Sequence, residues 1–322
     1  MRKPNAVQQA GKPAGAGLWS GIKDDFRKRW QLLLMLVVPF SYIAIFNYGP
    51  MYGIQLAFRK FNARAGIWGS KWIGLENFSK FFNSYQFVRT ITNTIVISLY
   101  SLIASFPIPI IFALALNCTK RKGFKKTVQM TSYAPYFIST VVMCSIIIQF
   151  LSPKFGIVNA IIKILGGQEY TFMASESAFK HIYVWSGIWQ NTGWNAIIYI
   201  AALSAIDPQL HEAAIVDGAT RFQRIAHVDL PGILPTCVIL LIMNFGSLMS
   251  LGYEKILLLQ NSQNLATSET IATYMYKVGL AAEGLPNYGY STAINLFNSV
   301  VNLILLITIN GIARRVSENS LW

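Results

Sequence analysis

Six apolar stretches, each long enough to cross a bilayer, restrict this sequence to a helical membrane fold. They cover about residues 30–50, 88–116, 128–151, 181–205, 233–251 and 292–312. About 20 apolar residues suffice for a transmembrane helix. Hydrophobic residues make up 53% of the 322 residues and charged residues only 12%, which argues against two soluble domains. The sequence therefore predicts an all-α polytopic membrane protein with six transmembrane helices.

Basic residues beside these stretches predict the orientation of the chain. Lys and Arg concentrate on the cytoplasmic side of membrane proteins. They occupy residues 27–29 before the first stretch, cluster at residues 120–126 between the second and third, and recur as Arg314 and Arg315 after the sixth. Both termini are therefore expected in the cytoplasm. The predicted parts are a tail of residues 1–29, a transmembrane domain of residues 30–313 and a tail of residues 314–322.

The same basic residues argue against binding of nucleic acid. The net charge is +14, but the positive residues flank apolar stretches and form no basic repeat interleaved with aromatics. The three cysteines and three histidines lack the spacing of a disulfide framework or a metal site. No catalytic set and no phosphate-binding Gly-rich loop is present. The sequence thus predicts neither an enzyme nor a metalloprotein, and the first apolar stretch, which lacks a cleavage pattern, is expected to remain as an anchor.

The loop of residues 207–231 is the most polar run in the second half of the chain. Asp207 is expected to cap a first short helix, and Gly218 is expected to end it in a left-handed turn. Thr220 and Gln223 have the spacing of a capping box, which predicts a second short helix. Each helix carries a narrow apolar stripe suited to the groove of a partner.

Seven residues of this loop follow a fixed spacing. They are Glu212, Ala213, Ala214, Gly218, Val228, Leu230 and Pro231. This pattern resembles the EAA loop of bacterial ABC importer permeases, with valine where isoleucine is commoner. The resemblance implies the type I ABC importer permease fold and a loop that docks on a cytoplasmic ATPase. It also implies that ATP and magnesium are bound by that separate ATPase, so that this chain needs no cofactor.

The resemblance further implies roles for individual loop residues. Glu212 is expected either to contact the ATPase through its charge or to hold the loop's own fold. Ala213 and Ala214 are small enough to let their helix lie close in a groove. Phe222 is expected to be an apolar anchor. Asp217 is expected either to cap the second helix or to pair with a basic residue of the ATPase.

Four further runs resemble permeases that import polysaccharide-derived oligosaccharides, such as alginate and pectin fragments. They are residues 133–139, 188–194, 252–259 and 320–322. The implied assembly lies in the bacterial cytoplasmic (inner) membrane, in contact with lipid. Its other parts would be a second and usually different permease chain, two ATPase subunits and an extracytoplasmic solute-binding protein, with an oligosaccharide, either neutral or of the acidic uronide type, as substrate.

Polar and aromatic residues inside the apolar stretches are the candidates for the substrate pathway. Polar groups at membrane depth usually face a cavity or another helix. The candidates are Tyr136, Gln149, Trp189, Gln190, Asn191, Trp194, Asn195, Asn244, Asn298 and Asn302. The alternative for each amide is a hydrogen-bonded bridge between two helices.

Charged residues on the predicted outer side have two interpretations. Glu254 and Lys255 follow the fifth stretch, where they either lie near the external mouth of a pore or pair with each other. The basic residues at 59–71 either attract an anionic substrate or snorkel at the membrane interface, and the second interpretation is favoured.

Two other transport functions are alternatives. An ATP-independent secondary transporter often carries acidic residues deep in its spans, and these stretches have almost none. An ABC permease for peptides or amino acids would share the loop, but the four oligosaccharide-type runs argue against it.

Overall fold

A computed structural model describes residues 30–281 and 286–316 of the chain. The predicted tail of residues 1–29, and residues 317–322 of the second tail, lie outside this description. The described residues fall into two units, which divide between residues 55 and 56. The described part is almost entirely helical, as the apolar stretches predict.

The first unit contains one apolar helix. Helix α1 spans Trp30–Ile43 and continues through a π-helical turn, Ala44–Tyr48, and a short helix, Gly49–Met51. A 3-10 segment, Tyr52–Phe58, follows it. Leu, Val, Met and Phe dominate α1, which suits it to a lipid environment.

The second unit begins with a small hairpin and holds the other main helices. Strands β1 (Arg59–Asn62) and β2 (Ser70–Trp72) pair antiparallel, flanking a short helix, Gly66–Gly69. The main helices are α2 (Glu76–Phe82), α3 (Tyr85–Ser105), α4 (Pro107–Asn117), α5 (Lys122–Tyr133), α6 (Thr140–Phe150), α7 (Ile157–Ile164), α8 (Glu176–Ser204), α9 (Pro208–Val216), α10 (Arg221–Arg224), α11 (Leu230–Gly246), α12 (Tyr253–Leu259), α13 (Ile271–Gly279) and α14 (Tyr288–Val316). Shorter helical turns are Ala134–Phe137, Phe172–Ala174, Ile225–Asp229 and Leu265–Ser268.

Four helices of the described chain are long and apolar enough to cross a membrane. They are Trp30–Phe58, Tyr85–Asn117, Arg221–Gly246 and Tyr288–Arg315. The predicted fourth stretch lies in α8, which has 29 residues but is less apolar than these four, because polar side chains recur along it.

The third predicted stretch is not one straight helix, which corrects the sequence interpretation. The helical run Lys122–Phe137 and helix α6 meet at an angle of 98°. Pro135 lies in the last turn before the bend, and Ser139 caps α6 by accepting a hydrogen bond from the Val142 amide at 3.4 Å. The proline and the new cap end one helix and start another.

Helix α8 lies at the centre of the second unit, where it packs against α3, α4, α5, α11 and α12. One buried cluster joins α4, α8 and α11 through residues such as Leu114, Tyr199 and Ile233. Gly193 permits the contact with α5, because a Cβ atom at this position would lie 2.2 Å from the Ser132 carbonyl oxygen. The central position of α8 places its polar residues next to the helices that surround it.

The segment between α11 and α14 is fixed to the start of α3 by buried polar contacts. Glu269 pairs with Arg89 of α3 and lies 3.7 Å from the Lys277 ammonium. Asn93 of α3 donates to the backbone carbonyl of Glu269 at 3.0 Å, and Thr94 accepts from the Ile271 amide at 3.0 Å. The charges buried here therefore have partners of opposite sign.

Candidate functional site: the 207–231 loop and two polar cavities

The 207–231 loop folds as its sequence predicts at both helix starts. The Asp207 carboxylate accepts a hydrogen bond from the Gln209 amide at 2.9 Å and caps α9. Gly218 has a φ of +78°, and this left-handed geometry ends α9. Thr220 and Gln223 form the predicted capping box at the start of α10, so Thr220 and not Asp217 caps that helix.

The second predicted helix is not a separate element. Helix α10 passes through the π-helical turn Ile225–Asp229 directly into α11, so that Arg221–Gly246 is one helical run of 26 residues. The sequence analysis starts the fifth stretch near residue 233. Pro231 lies inside this continuous run, directly after the π-helical turn, and the helix continues past it.

The predicted partner-binding residues lie on the surface of the loop. Phe222 is 84% exposed, and Val216 is also exposed. Glu212, Ala213, Asp217 and Gly218 are exposed, while Ala214 is partly buried. Large exposed apolar side chains on a polar loop are typical of a protein interaction site.

A cavity of about 470 Å³ lies beside this loop and brings together residues that the sequence analysis missed. Asp229 is only 3% exposed. Its Oδ1 atom lies 3.4 Å from His211 Nε2 and accepts a hydrogen bond from Asn117 Nδ2 at 3.3 Å. The three side chains join α9, the π-helical turn and the end of α4. No sequence motif indicates this cluster, since Asn117 and Asp229 lie 112 residues apart.

Four of the predicted pathway residues line two adjoining cavities. Cavity A, of about 270 Å³, is lined by Gln190, Asn191 and Asn195 of α8. Cavity B, of about 130 Å³, is lined by Asn195 and by Asn244 of α11. The cavities share Ser105, Pro109 and Asn195. Together they form a polar path between α3, α4, α8 and α11.

The amides in this path keep hydrogen bonds to the backbone. Asn191 and Asn244 donate to the carbonyl oxygens of Gly187 and Leu240, each at 2.8 Å and one turn earlier in the same helix. Gln190 donates to the Ile138 carbonyl at 2.9 Å and thus bridges α8 to the bend before α6. Asn191 and Asn244 therefore face the path without linking helices.

The remaining predicted pathway residues lie elsewhere. Tyr136 and Trp194 stack on each other with ring centroids 4.3 Å apart. Trp189 lines an apolar groove beside α6, and Gln149 is exposed near the end of α6. Asn298 lies on α14, and its Oδ1 atom is buried without a hydrogen-bond partner among the described residues.

Asn302, also on α14, forms a bridge of the kind that the sequence analysis gives as the alternative. Its Nδ2 donates to Ser250 Oγ at 2.7 Å, and its Oδ1 accepts from the Met249 amide at 2.9 Å.

Lys255 of α12 lines cavity A together with the α8 residues. Its ammonium donates to the Tyr183 carbonyl oxygen at 2.9 Å and lies 4.8 Å from the centroid of the Tyr183 ring. Burial lowers the pKa of this ammonium to about 8. Glu254 is exposed, and in the described structure it forms no ion pair with Lys255. Lys255 therefore lines cavity A and, among the described residues, does not pair with Glu254.

Residues 31–318 match the family model described as "Binding-protein-dependent transport system inner membrane component". The chain is 38% identical over 291 residues to the polygalacturonan/rhamnogalacturonan transport system permease protein YteP of Bacillus subtilis (strain 168), with 90% of each chain covered. These comparisons agree with the resemblance found in the loop.

Two solved structures are also similar to this chain. One is a bacterial ABC transporter involved in the import of the acidic polysaccharide alginate, with a TM-score of 0.84, 38% identity, and 93% of this chain and 99% of that chain covered. The other is a bacterial alginate ABC transporter in complex with an alginate pentasaccharide-bound periplasmic protein, with a TM-score of 0.84, 37% identity, and 94% and 99% covered. The helices therefore have the arrangement of an ABC importer permease.

Proposed function

The chain belongs to the family of binding-protein-dependent transport system inner membrane components, and we propose that it carries acidic oligosaccharides across the membrane by alternating access. It is a transporter subunit and not an enzyme. The observation that carries the choice of substrate is the 38% identity, over nearly the whole chain, to a transporter of the acidic polysaccharide alginate. YteP, the permease protein of a polygalacturonan/rhamnogalacturonan transport system, points to the same class.

The proposed topology has six spans with both termini in the cytoplasm. Four long apolar helices and the bent pair supply five spans. Helix α8 is the sixth, because its 29 residues extend over about 43 Å at 1.5 Å per residue, more than the bilayer core requires. Its polar residues are tolerated at this depth because they face the polar path.

The 207–231 loop is the proposed contact with a cytoplasmic ATPase. Phe222 and Val216 supply exposed apolar area, and Glu212 supplies a charge beside them. ATP and magnesium would be held by that ATPase. Closure of an ATPase pair would move the loop and shift the helices between inward-open and outward-open states.

The full assembly contains a second permease, two ATPases and an extracytoplasmic binding protein. The similar alginate transporter was solved with a pentasaccharide-bound periplasmic protein, which supports delivery by such a protein. This chain has one such loop and so engages one ATPase, and a second permease would engage the other. The substrate would pass along cavities A and B, where the amides of Asn191, Asn195 and Asn244 can bind sugar hydroxyls.

Uptake by the complete complex in liposomes tests this function. With ATP inside, labelled uronic-acid oligosaccharides should accumulate when the loaded binding protein is outside. Glu212→Ala should reduce ATP-driven uptake at least about tenfold, whereas Glu76→Ala, which changes an exposed glutamate of α2, should not. Uptake without ATP, or transport of peptides in place of oligosaccharides, would contradict the proposal.

A further inference from the structure

We propose that Lys255 is the specificity-determining residue that binds a carboxylate group of the acidic sugar at the α12 end of cavity A. This inference rests on the proposed function and adds to it the residue that distinguishes acidic from neutral sugars.

The position of the ammonium is set by its neighbours. Lys255 extends from α12 to α8, where its Nζ atom lies close to Gly187. A Cβ atom at position 187 would be 3.3 Å from Nζ. Because residue 187 has no side chain, it leaves room for the Lys255 ammonium at the cavity wall.

The ammonium has unused capacity for hydrogen bonding. A lysine ammonium has three donors, and the Tyr183 carbonyl accepts one of them. The Tyr183 ring gives a cation–π contact, which stabilises the charge without a hydrogen bond to a lone pair. Two N–H groups thus remain for an acceptor in the cavity.

No counter-ion for Lys255 is found among the described residues. The comparison with Arg89 and Lys277 is informative, because both are partly buried and both pair with Glu269. Removing a charge from water without a partner is costly. A buried cation that lines a cavity and has no acidic partner among the described residues is typical of a binding site. An anionic ligand would pair with this charge.

The surrounding groups fit a sugar that carries an acid. Asn191 and Asn195 line the same cavity and can bind hydroxyl groups, while the ammonium binds the carboxylate. A hydrogen bond between two charged groups is about twice as strong as one between neutral groups. The site therefore favours a uronate over a neutral hexose of the same shape.

The test measures oligosaccharides carried per ATP hydrolysed in proteoliposomes with saturating binding protein. Lys255→Gln should lower uptake of uronic-acid oligosaccharides about tenfold, with stimulated ATP hydrolysis unchanged. Lys255→Arg keeps the charge and should retain uptake within about threefold. Lys154→Gln, which removes an exposed lysine of the turn between α6 and α7, is the matched control and should behave as wild type.

The outcomes separate this inference from the proposed function. Wild-type uptake together with normal uptake by Lys255→Gln would overturn the role of Lys255 alone. Equal loss of ATP hydrolysis and uptake, with no rescue by Lys255→Arg, would show a structural role and also overturn it. Absence of uronic-acid uptake by the wild type would overturn the proposed substrate. If Lys255→Gln does not assemble, Lys255→Met, which keeps the side-chain length, replaces it in the same assay.

Discussion

His211 Nε2 and Asp229 Oδ1 lie 3.4 Å apart, which joins the helix that carries Glu212 to the π-helical turn of the long helix that follows. Asp229 is buried, and Asn117 of α4 donates to the same oxygen. The Asp229 carboxylate thus links α9 of the loop to α4. We interpret Asp229 as a positioning residue for the loop.

Asp229→Ala should weaken this link. The buried partners would lose an acceptor, which costs about 1–3 kcal/mol. We expect ATP hydrolysis to persist in the complex while the uptake per ATP falls several-fold. His227→Ala is the control, because the ring of His227 bonds to the Gln223 carbonyl within its own turn. Equal uptake per ATP in Asp229→Ala and wild type would contradict the positioning role.

Phe222→Ala should weaken binding of the ATPase without destabilising the chain. The side chain is 84% exposed, so little packing is lost, but an aromatic anchor at an interface typically contributes more than 1 kcal/mol. Co-purification and surface plasmon resonance should show affinity reduced about tenfold. Phe155→Ala changes a side chain that is 90% exposed outside the loop and should leave affinity intact. Equal affinities for the two variants would remove Phe222 from the interface.

Gly218→Ala should strain the end of α9. The φ of +78° costs a residue with a Cβ about 1–2 kcal/mol, and the space around the glycine is open, so the effect comes from the backbone alone. Gly218→Asn is the matched variant, since asparagine tolerates this conformation better. We expect Gly218→Ala to lose more coupled ATP hydrolysis than Gly218→Asn. The reverse order would refute the backbone explanation.

Gly193→Ala should separate α8 from α5. The new Cβ would lie 2.2 Å from the Ser132 carbonyl oxygen, so the helices must move apart, and the melting temperature in detergent should fall. Gly123→Ala in α5 is the control: its surroundings are open, and alanine is the better helix former, so its melting temperature should be equal or higher. A higher melting temperature for Gly193→Ala would contradict the packing.

Uptake of acidic oligosaccharides should decrease as the pH rises through about 8. Burial lowers the pKa of Lys255 to about 8 from 10.5, so most of the charge is lost at pH 9. Tyr183 and Cys144 are the titratable groups that face it, and Glu254 is its neighbour on α12. Between these two pKa values the unfolded chain binds more protons, so stability at this site rises with pH. A loss of uptake in this window therefore does not arise from unfolding at Lys255.

The matching measurement compares wild type with Lys255→Arg at pH 7 and pH 9. Arginine stays charged at both values. The wild type should lose about tenfold in uptake per ATP, and the variant should lose little. A parallel decrease in both proteins would assign the effect to another group.

The sequence predicts best those features that are encoded within a few residues. The capping box of Thr220 and Gln223, the cap by Asp207 and the turn at Gly218 depend on neighbours in the chain. Four of the six apolar stretches likewise form helices long and apolar enough to cross a membrane, because composition over about 20 residues decides this. These features have local physical causes, so a single sequence suffices to find them.

The missed features depend on distant parts of the chain. The Asn117–Asp229 hydrogen bond and the stack of Tyr136 on Trp194 arise only after the helices pack. The 98° bend near Ser139 was missed because a proline is tolerated within a membrane span, so that Pro135 alone did not require a break. Lys255 was assigned to the outer side. The sequence could not show that its ammonium faces cavity A, because this depends on the packing of α12 beside Gly187 of α8.

The continuity of Arg221–Gly246 has a mechanical consequence. At 1.5 Å per residue, 26 residues form a rod of about 39 Å, with Phe222 near one end and Asn244 near the other. The continuous helix therefore connects the proposed ATPase contact at Phe222 to the wall of cavity B, which Asn244 lines. The π-helical turn at residues 225–229 lies between them, and the contacts of Asp229 tie this turn to α4 and α9.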